Sequence, residues 1–267
     1  MDDAFALLRL QVEWGADEAL DADPLDRLRA AGAPPVPSRL RPAPAGSAAG
    51  TVLRTLPPTS VPAQARGTAA ERALAAAAQA DTLEALRDAI AGFDGCALRD
   101  TASNLVWAEG PPDSRVLIVG ETPERDEDRT GHPFAGADGA LLDQMLDSIG
   151  LDRTQVMLAP LLPWRPPGER PPSAAELAIC LPFLHRLIAL HLPDRLILFG
   201  PGPAKALLTA QPRRRQAITW IEASIPGLQK TIPALALPGL ADQRKSPVVG
   251  RFAWVGLRLL RRALDMD

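Results

Sequence analysis

The run SRVLIVGETPERDEDRTGHPFAGADGALLDQMLDSIG, from Ser114 to Gly150, joins an apolar strand, a polar glycine-bearing loop and an amphipathic helix. Val116 to Val119 is an unbroken apolar stretch, the pattern of a parallel strand covered on both faces, and Gly120 stops it where the backbone must turn tightly. In open α/β sheets ligands collect beyond the carboxyl ends of such strands. Glu121, the charged tract Glu124 to Arg129 and the turn Gly131-His132-Pro133-Phe134 therefore lie where a site would be built. Leu141, Leu142, Met145 and Ile149 then recur at helical spacing, giving one apolar face to set against the sheet.

Working outward, the chain of 267 residues is 46% hydrophobic and 23% charged, enough to bury a full core in one sizeable domain with appendages. The amino terminus, MDDAFALLRLQVEWG, is acidic and has no basic region followed by an apolar core, and no apolar run is read as approaching the roughly 20 residues that span a membrane. A cytoplasmic location and no membrane association are expected. Cys96 and Cys180 are too few for a secreted disulfide framework or a four-thiolate metal site. A net charge of −3 argues against a strongly basic nucleic-acid binder, so any grip on phosphates must be local.

Residues 1–31 carry one helical pattern around Phe5, Leu8, Leu10 and Trp14 and a second around Leu25 and Leu28. Residues 32–67 hold eight prolines among Ala, Ser and Arg, a composition unable to form a packed core, and read as a linker or as a docking segment for a partner. The folded domain is then 68–267. Ala69 to Ala80 is alanine-rich and helical, Asp81 with Glu84 offers a capping box for a helix through Leu83, Leu86 and Ile90, and Asn104 to Trp107 reads as a short strand. Core strands are expected at Val116–Val119, Val156–Leu162, Leu196–Phe199 and Ala234–Leu237, with helices near 138–149, 174–191, 202–209 and 251–264. The fold class is α/β: a three-layer αβα sandwich on a four-stranded parallel sheet with right-handed crossovers, preceded by a helical amino-terminal extension.

Several motifs together carry a resemblance. Gly120-Glu121-Thr122-Pro123-Glu124, then Glu127 to Gly136, then Trp164-Arg165-Pro166-Pro167-Gly168-Glu169-Arg170, the helix holding Ala178 to Phe183, and Arg195 to Gly200 follow in the order and near the spacing of one family. The chain from about Phe93 to Leu264 resembles the iron–sulfur (thermostable, family 4) branch of the uracil-DNA glycosylase superfamily. The resemblance implies base excision in DNA repair: an extruded base is gripped while the glycosidic bond breaks toward an oxocarbenium-like sugar. Glu121 would position water or offset the sugar's positive charge, or simply be satisfied by loop amides. Gly120, Pro133 and Phe134 would form the base-binding turn, with Phe134 stacking on the base or serving as core. Arg165, Arg170, Arg244 and Lys245, with Arg213 to Arg215, make the set expected to contact DNA phosphates, or else a solvated basic surface.

The departures from the family pattern matter as much. Where the family carries an asparagine to read the uracil edge this chain has Ala159-Pro160, and proline cannot make a bidentate contact. Where the family has its His-Pro motif the chain reads Leu237-Pro238-Gly239-Leu240, and Gly239 falls on the histidine that donates to the developing uracil oxyanion. Of the four cysteine positions implied by the resemblance, Phe93 and Trp164 occupy two, and Cys96 and Cys180 should be neighbours in a dry apolar plug with no iron–sulfur cluster. Cofactors are therefore expected to be none, and metal ligands none.

Other groups are read blandly. His132 is expected on the surface, and His185 and His191 lie away from the strand ends. Glu124, Asp126, Glu127 and Asp128 are taken as a solvated loop in preference to a divalent-ion site. Gly200-Pro201-Gly202-Pro203 precedes a helix, but its prolines remove donors that a phosphate would need. Three functions follow: a repair glycosylase with weakened or lost uracil excision, a catalytically inactive DNA- or partner-binding module, or a hydrolase of another base or a free nucleotide. DNA, a repair partner engaged through the amino-terminal segment and a monomeric state complete the expectation.

Overall fold

The computed structural model describes residues 67–209 and 218–266. The amino-terminal helices and the proline-rich segment expected up to residue 66, and Arg213 to Arg215, lie outside them. The described chain begins with helices α1 (Ala69–Gln79), α2 (Leu83–Ala91) and α3 (Ala97–Thr101). There follow β1 (Val116–Gly120), α4 (Arg125–Thr130), α5 (Ala137–Asp147), β2 (Val156–Pro160), α6 (Ala174–His191), β3 (Arg195–Phe199) and α7 (Pro201–Leu207). β4 (Ile221–Ala223), β5 (Ile232–Leu237), α8 (Leu240–Lys245) and α9 (Pro247–Met266) complete it.

The strands form one sheet in the order β2-β1-β3-β5-β4. β2, β1, β3 and β5 are mutually parallel, with Val116 opposite Val156 and Arg195, and Leu196 opposite Ala234. These are the four strands read from apolar runs, and the parallel class of the fold holds. The sheet has a fifth strand, β4, antiparallel to β5 at the edge. Its three residues are too short for a period-2 pattern to register, so the expected count of four is corrected to five. Asn104 to Trp107 is not a strand: the Val106 N–H donates to the Pro163 carbonyl at 2.8 Å, beyond the end of β2, and the one antiparallel bridge nearby, Glu109 with Leu158, lies two residues further along.

Two apolar layers cover the sheet. One holds Leu117, Val119, Leu196 and Leu198 against α1, α2 and α6, and the other holds Val116, Ile118, Ile197 and Leu235 against α5 and α9. Alternate residues of each strand thus face opposite layers, the three-layer arrangement that continuous apolar strands imply. Helix starts follow local chemistry: Thr68 with Glu71 and Ser173 with Glu176 form reciprocal capping boxes on α1 and α6. The cap of α2 is Thr82, whose side chain accepts from the Ala85 N–H at 3.1 Å, and not Asp81. α6 is 18 residues long with a mean hydropathy of 1.4, so by length and composition it could cross a membrane, contrary to the sequence expectation. It is instead a core helix, burying Cys180, Phe183, Leu184, Leu187 and Ile188 and fixed to the first hairpin by Arg186, which donates to the Ala80 carbonyl at 2.8 Å.

Gly139, in the first turn of α5, faces the Phe134 carbonyl so closely that an added Cβ would sit 1.7 Å from that oxygen. A glycine-to-alanine change inside a helix ordinarily gains up to about 1 kcal/mol from propensity. Here the collision is with backbone, so Gly139→Ala should lower stability by about 1–3 kcal/mol in chemical denaturation. A stability equal to or above the parent would contradict the close approach.

Candidate functional site

β1, β2, β3 and β5 all point their carboxyl ends at one cavity of about 710 Å³. Gly120, Pro160, Phe199 and Gly239, at or just beyond those ends, line it together with Glu121 and Phe134. The cavity thus lies at the strand ends where the chain leaves the sheet, the place to which the sequence pointed for a candidate site. The volume is within the roughly 300–1,000 Å³ of small-molecule sites.

Glu121 follows β1 directly, and its carboxylate reaches across to the β3–α7 turn, where Oε1 accepts the Gly202 N–H at 2.9 Å. Cβ atoms added at Gly200 or Gly202 would lie 2.1 and 2.4 Å from that carboxylate, and Gly200 has φ +97°. The Gly200-Pro201-Gly202 turn is thus a cradle for Glu121, and its free amide serves a side-chain carboxylate inside the protein. Burial, with the Asp242 charge as a lesser cause, pushes the Glu121 carboxyl above its ordinary range against the Gly202 hydrogen bond. Only the paired glycines signalled this cradle in the sequence.

Phe134 adopts φ 52°, an unusual conformation for an aromatic residue. Both ends of its peptide are held. Glu127 Oε1 accepts the Phe134 N–H at 2.5 Å, and Arg153 donates from one guanidinium nitrogen to the Phe134 carbonyl at 2.8 Å while pairing with Asp143 at 2.6 Å. The ring packs over Gly120, where a Cβ would come within 2.7 Å of it. Phe134 is buried, belongs to the α5–α9 core layer and also lines the cavity, so one side chain serves as both core and cavity wall. Pro133 is buried but does not line the cavity.

The tract Glu124 to Arg129 is a helix, α4, and not the solvated loop expected from its charge. Glu127 turns inward as a double acceptor, its second oxygen taking the Glu124 N–H at 2.7 Å, and burial pushes its carboxyl up to about 7. Glu127 is half-buried, whereas Asp128 is buried and accepts the Ser103 N–H at 2.8 Å. Local capping and two backbone donors, invisible in composition, overturned the loop reading.

The four cations expected to meet phosphates are placed unevenly. Arg165 pairs with Glu169 at 2.9 Å, Arg170 with Glu176 at 2.6 Å and Arg244 with Asp138, while Lys245 is exposed at the end of α8. Arg170 alone of the four lines the cavity. His132 contacts Glu109 on the exposed side and does not line the cavity. His191 is a buried clamp, bonded to the Ser114 hydroxyl at 3.1 Å and the Pro112 carbonyl at 3.0 Å at the opposite end of β1.

Cys96 and Cys180 lie with their sulfurs 3.9 Å apart, both buried, in the same core layer as Phe93 and Trp164. Phe93 packs edge-on against Phe183 at 5.5 Å. The hydrogen bond with Cys96, followed by burial, pushes the Cys180 thiol up. A four-iron cluster needs four thiolates and the volume to hold it, and the two aromatic residues fill that layer, so the residues present do not fit the cluster. Among the described residues no group of three or more His, Cys, Asp or Glu side chains is arranged to hold a metal ion.

The strand-end cavity of the parallel sheet is thus lined by a cradled carboxylate and an aromatic turn. The family model for the uracil DNA glycosylase superfamily matches residues 107–245. The type-4 uracil-DNA glycosylase of Pyrobaculum aerophilum is 38% identical over 136 residues, 51% of this chain and 69% of the relative. That of Sulfurisphaera tokodaii is 34% identical over 142 residues, 53% and 64% respectively, and that of Archaeoglobus fulgidus 40% identical over 105 residues, 39% and 53%. The matches thus span between about half and two thirds of these relatives' lengths. The chain belongs to the uracil-DNA glycosylase superfamily and resembles its type-4 members.

Two measurements test the site. Glu127 binds its proton more tightly when folded, about 7 against an ordinary 4.5, so its stabilising contribution is complete below the ordinary value and is lost as pH rises through about 7. Thermal stability should therefore fall across that window, with a shallower slope in Glu127→Gln; an unchanged slope would remove the buried-carboxyl account. Protein purified without oxygen should be colourless, and stoichiometric iron would refute the filled-plug account of Phe93 and Trp164.

Proposed function

We propose that the chain is a DNA base-excision glycosylase in which uracil removal is weakened or lost. The observation that carries this reading is the cavity floor itself: Glu121 and Phe134 stand beside Pro160 and Gly239 around one open space. Glu121, held by the Gly202 amide, would offset positive charge on the sugar and take a proton from the attacking water as the glycosidic bond opens. Pro160 has no side-chain donor or acceptor to read a uracil edge, and Gly239 offers no side chain to the oxygen on which uracil's negative charge develops. Arg170 and Lys205 line the cavity and, with the exposed Lys245 on α8, would meet DNA phosphates. A binding module without catalysis is the second reading, favoured by the same two substitutions.

Loss of one oxyanion donor is worth roughly 2.7–4 kcal/mol and loss of a bidentate edge contact about 1–3, so uracil excision should be slower than in relatives by on the order of 10³–10⁵. Gly239 has φ −57°, and a Cβ there would meet only ordinary contacts, the Asp242 carboxylate at 3.7 Å and Gly200 at 3.8 Å. Gly239→His should accordingly fit and raise single-turnover uracil release by on the order of 10². A parent rate near that of ordinary repair glycosylases, abolished in Glu121→Gln, would sink the proposal; no release even in Gly239→His would favour the binding module.

A further inference from the structure

We propose that this cavity accepts a base made cationic by alkylation of a ring nitrogen, an N-alkylated purine in DNA, and releases it as a neutral molecule. The inference rests on the reading of the cavity as a base pocket. It starts from the leaving group. Uracil departs as an anion and needs donors where its charge collects, which Pro160 and Gly239 do not supply. A base already positive before cleavage departs neutral and needs none.

The charges around the cavity favour the same class. Glu121, Glu124, Glu127 and Asp242 line it with no ion pair among the described residues, whereas Asp138 and Glu169 are matched by Arg244 and Arg165. Of the cations lining it, Arg170 is held by Glu176 and Lys205 stands exposed on α7. Such a field repels an anion leaving into the pocket and attracts a cation entering it. Burial raises the Glu121, Glu124 and Glu127 carboxyls, at Glu124 against the pull of Arg244 and Lys245, and a cationic base beside them would favour their charged forms. Phe134 adds an aromatic ring, to which a cation is drawn by the ring's negative face. Apolar side chains, Leu161, Leu177, Leu181, Phe199 and Leu240, make up much of the remaining wall, and a cavity of about 710 Å³ holds a two-ring base.

In the step that follows, the C1′–N bond breaks and its electron pair moves to the ring nitrogen, cancelling the base's positive charge. The sugar becomes an oxocarbenium ion facing Glu121. Water adds its oxygen to C1′ and gives one proton to the Glu121 carboxylate, which passes it to solvent. The products are a neutral alkylpurine, an abasic sugar and one proton, with no oxidant or cofactor consumed.

The test uses the full chain on duplex DNA methylated with dimethyl sulfate, with released N7-methylguanine and N3-methyladenine measured by mass spectrometry beside spontaneous loss. A uracil oligonucleotide runs in parallel. Release at least about tenfold above spontaneous loss, reduced on the order of 10²-fold in Glu121→Gln and by a smaller factor in the exposed-site variant Asp242→Asn, is expected. Gly239→His should shift the ratio of uracil to methylpurine release toward uracil. Methylpurine loss no faster than spontaneous overturns the inference. In that event, binding to an oligonucleotide with a tetrahydrofuran abasic analogue separates the failures: tight binding leaves the base-pocket reading standing, and no preference over undamaged DNA brings down both.

Discussion

The geometry of the pocket depends on how the Phe134 peptide is held. A bulky residue at positive φ costs on the order of 1–3 kcal/mol unless its surroundings over-determine it. Here a half-buried carboxylate accepts its N–H, a guanidinium donates to its carbonyl, and a glycine on α5 lets that carbonyl approach. Each partner depends on a different element: Glu127 on the α4 capping arrangement, Arg153 on the loop before β2, Gly139 on the first turn of α5. The polar loop after β1 is thereby pinned at Phe134, whose ring both closes a core layer and lines the cavity, the condition for a site that must hold its shape before a substrate arrives.

Glu121 is held by the same logic. Its carboxylate is fixed by a neighbouring turn from β3, not by its own loop, and that turn must carry glycine at 200 and 202 because the carboxylate occupies the space their side chains would need. Two parallel strands adjacent in the sheet, β1 and β3, therefore deliver one acid to a place neither could define alone. The partial desolvation that raises its proton affinity comes from this burial, so orientation and proton affinity have a single origin.

The strands β1, β2, β3 and β5 were legible because apolar runs ending in turn residues have few alternative readings, and the cavity followed from where those runs stop. Phe134 and Glu121 were legible through the family resemblance, but the means of holding them were not. Arg153 is separated from Phe134 by a whole helix, and the inward turn of Glu127 depends on two backbone amides that no residue pattern displays. β4 escaped because three residues at an antiparallel edge carry no period. Asn104 to Trp107 misled for the opposite reason, since its strand-like residues form no ladder and the single bridge beside β2 is made by Glu109.

The two departures from the family pattern have different physical consequences because they fall in different layers. Phe93 and Trp164 lie in the α1–α6 layer with Cys96 and Cys180, where tight apolar packing does for the chain what crosslinking ligands would do: it ties the 93–96 turn and the 164 loop to α6. Pro160 and Gly239 instead face open space, where a side chain's volume adds little to stability and its polar atoms decide what may bind. A core position can be replaced by anything of suitable size and apolarity, whereas a site position changes chemistry when its hydrogen-bonding groups go. The scaffold can therefore keep its sheet and its cradled acid while the groups that face the cavity change.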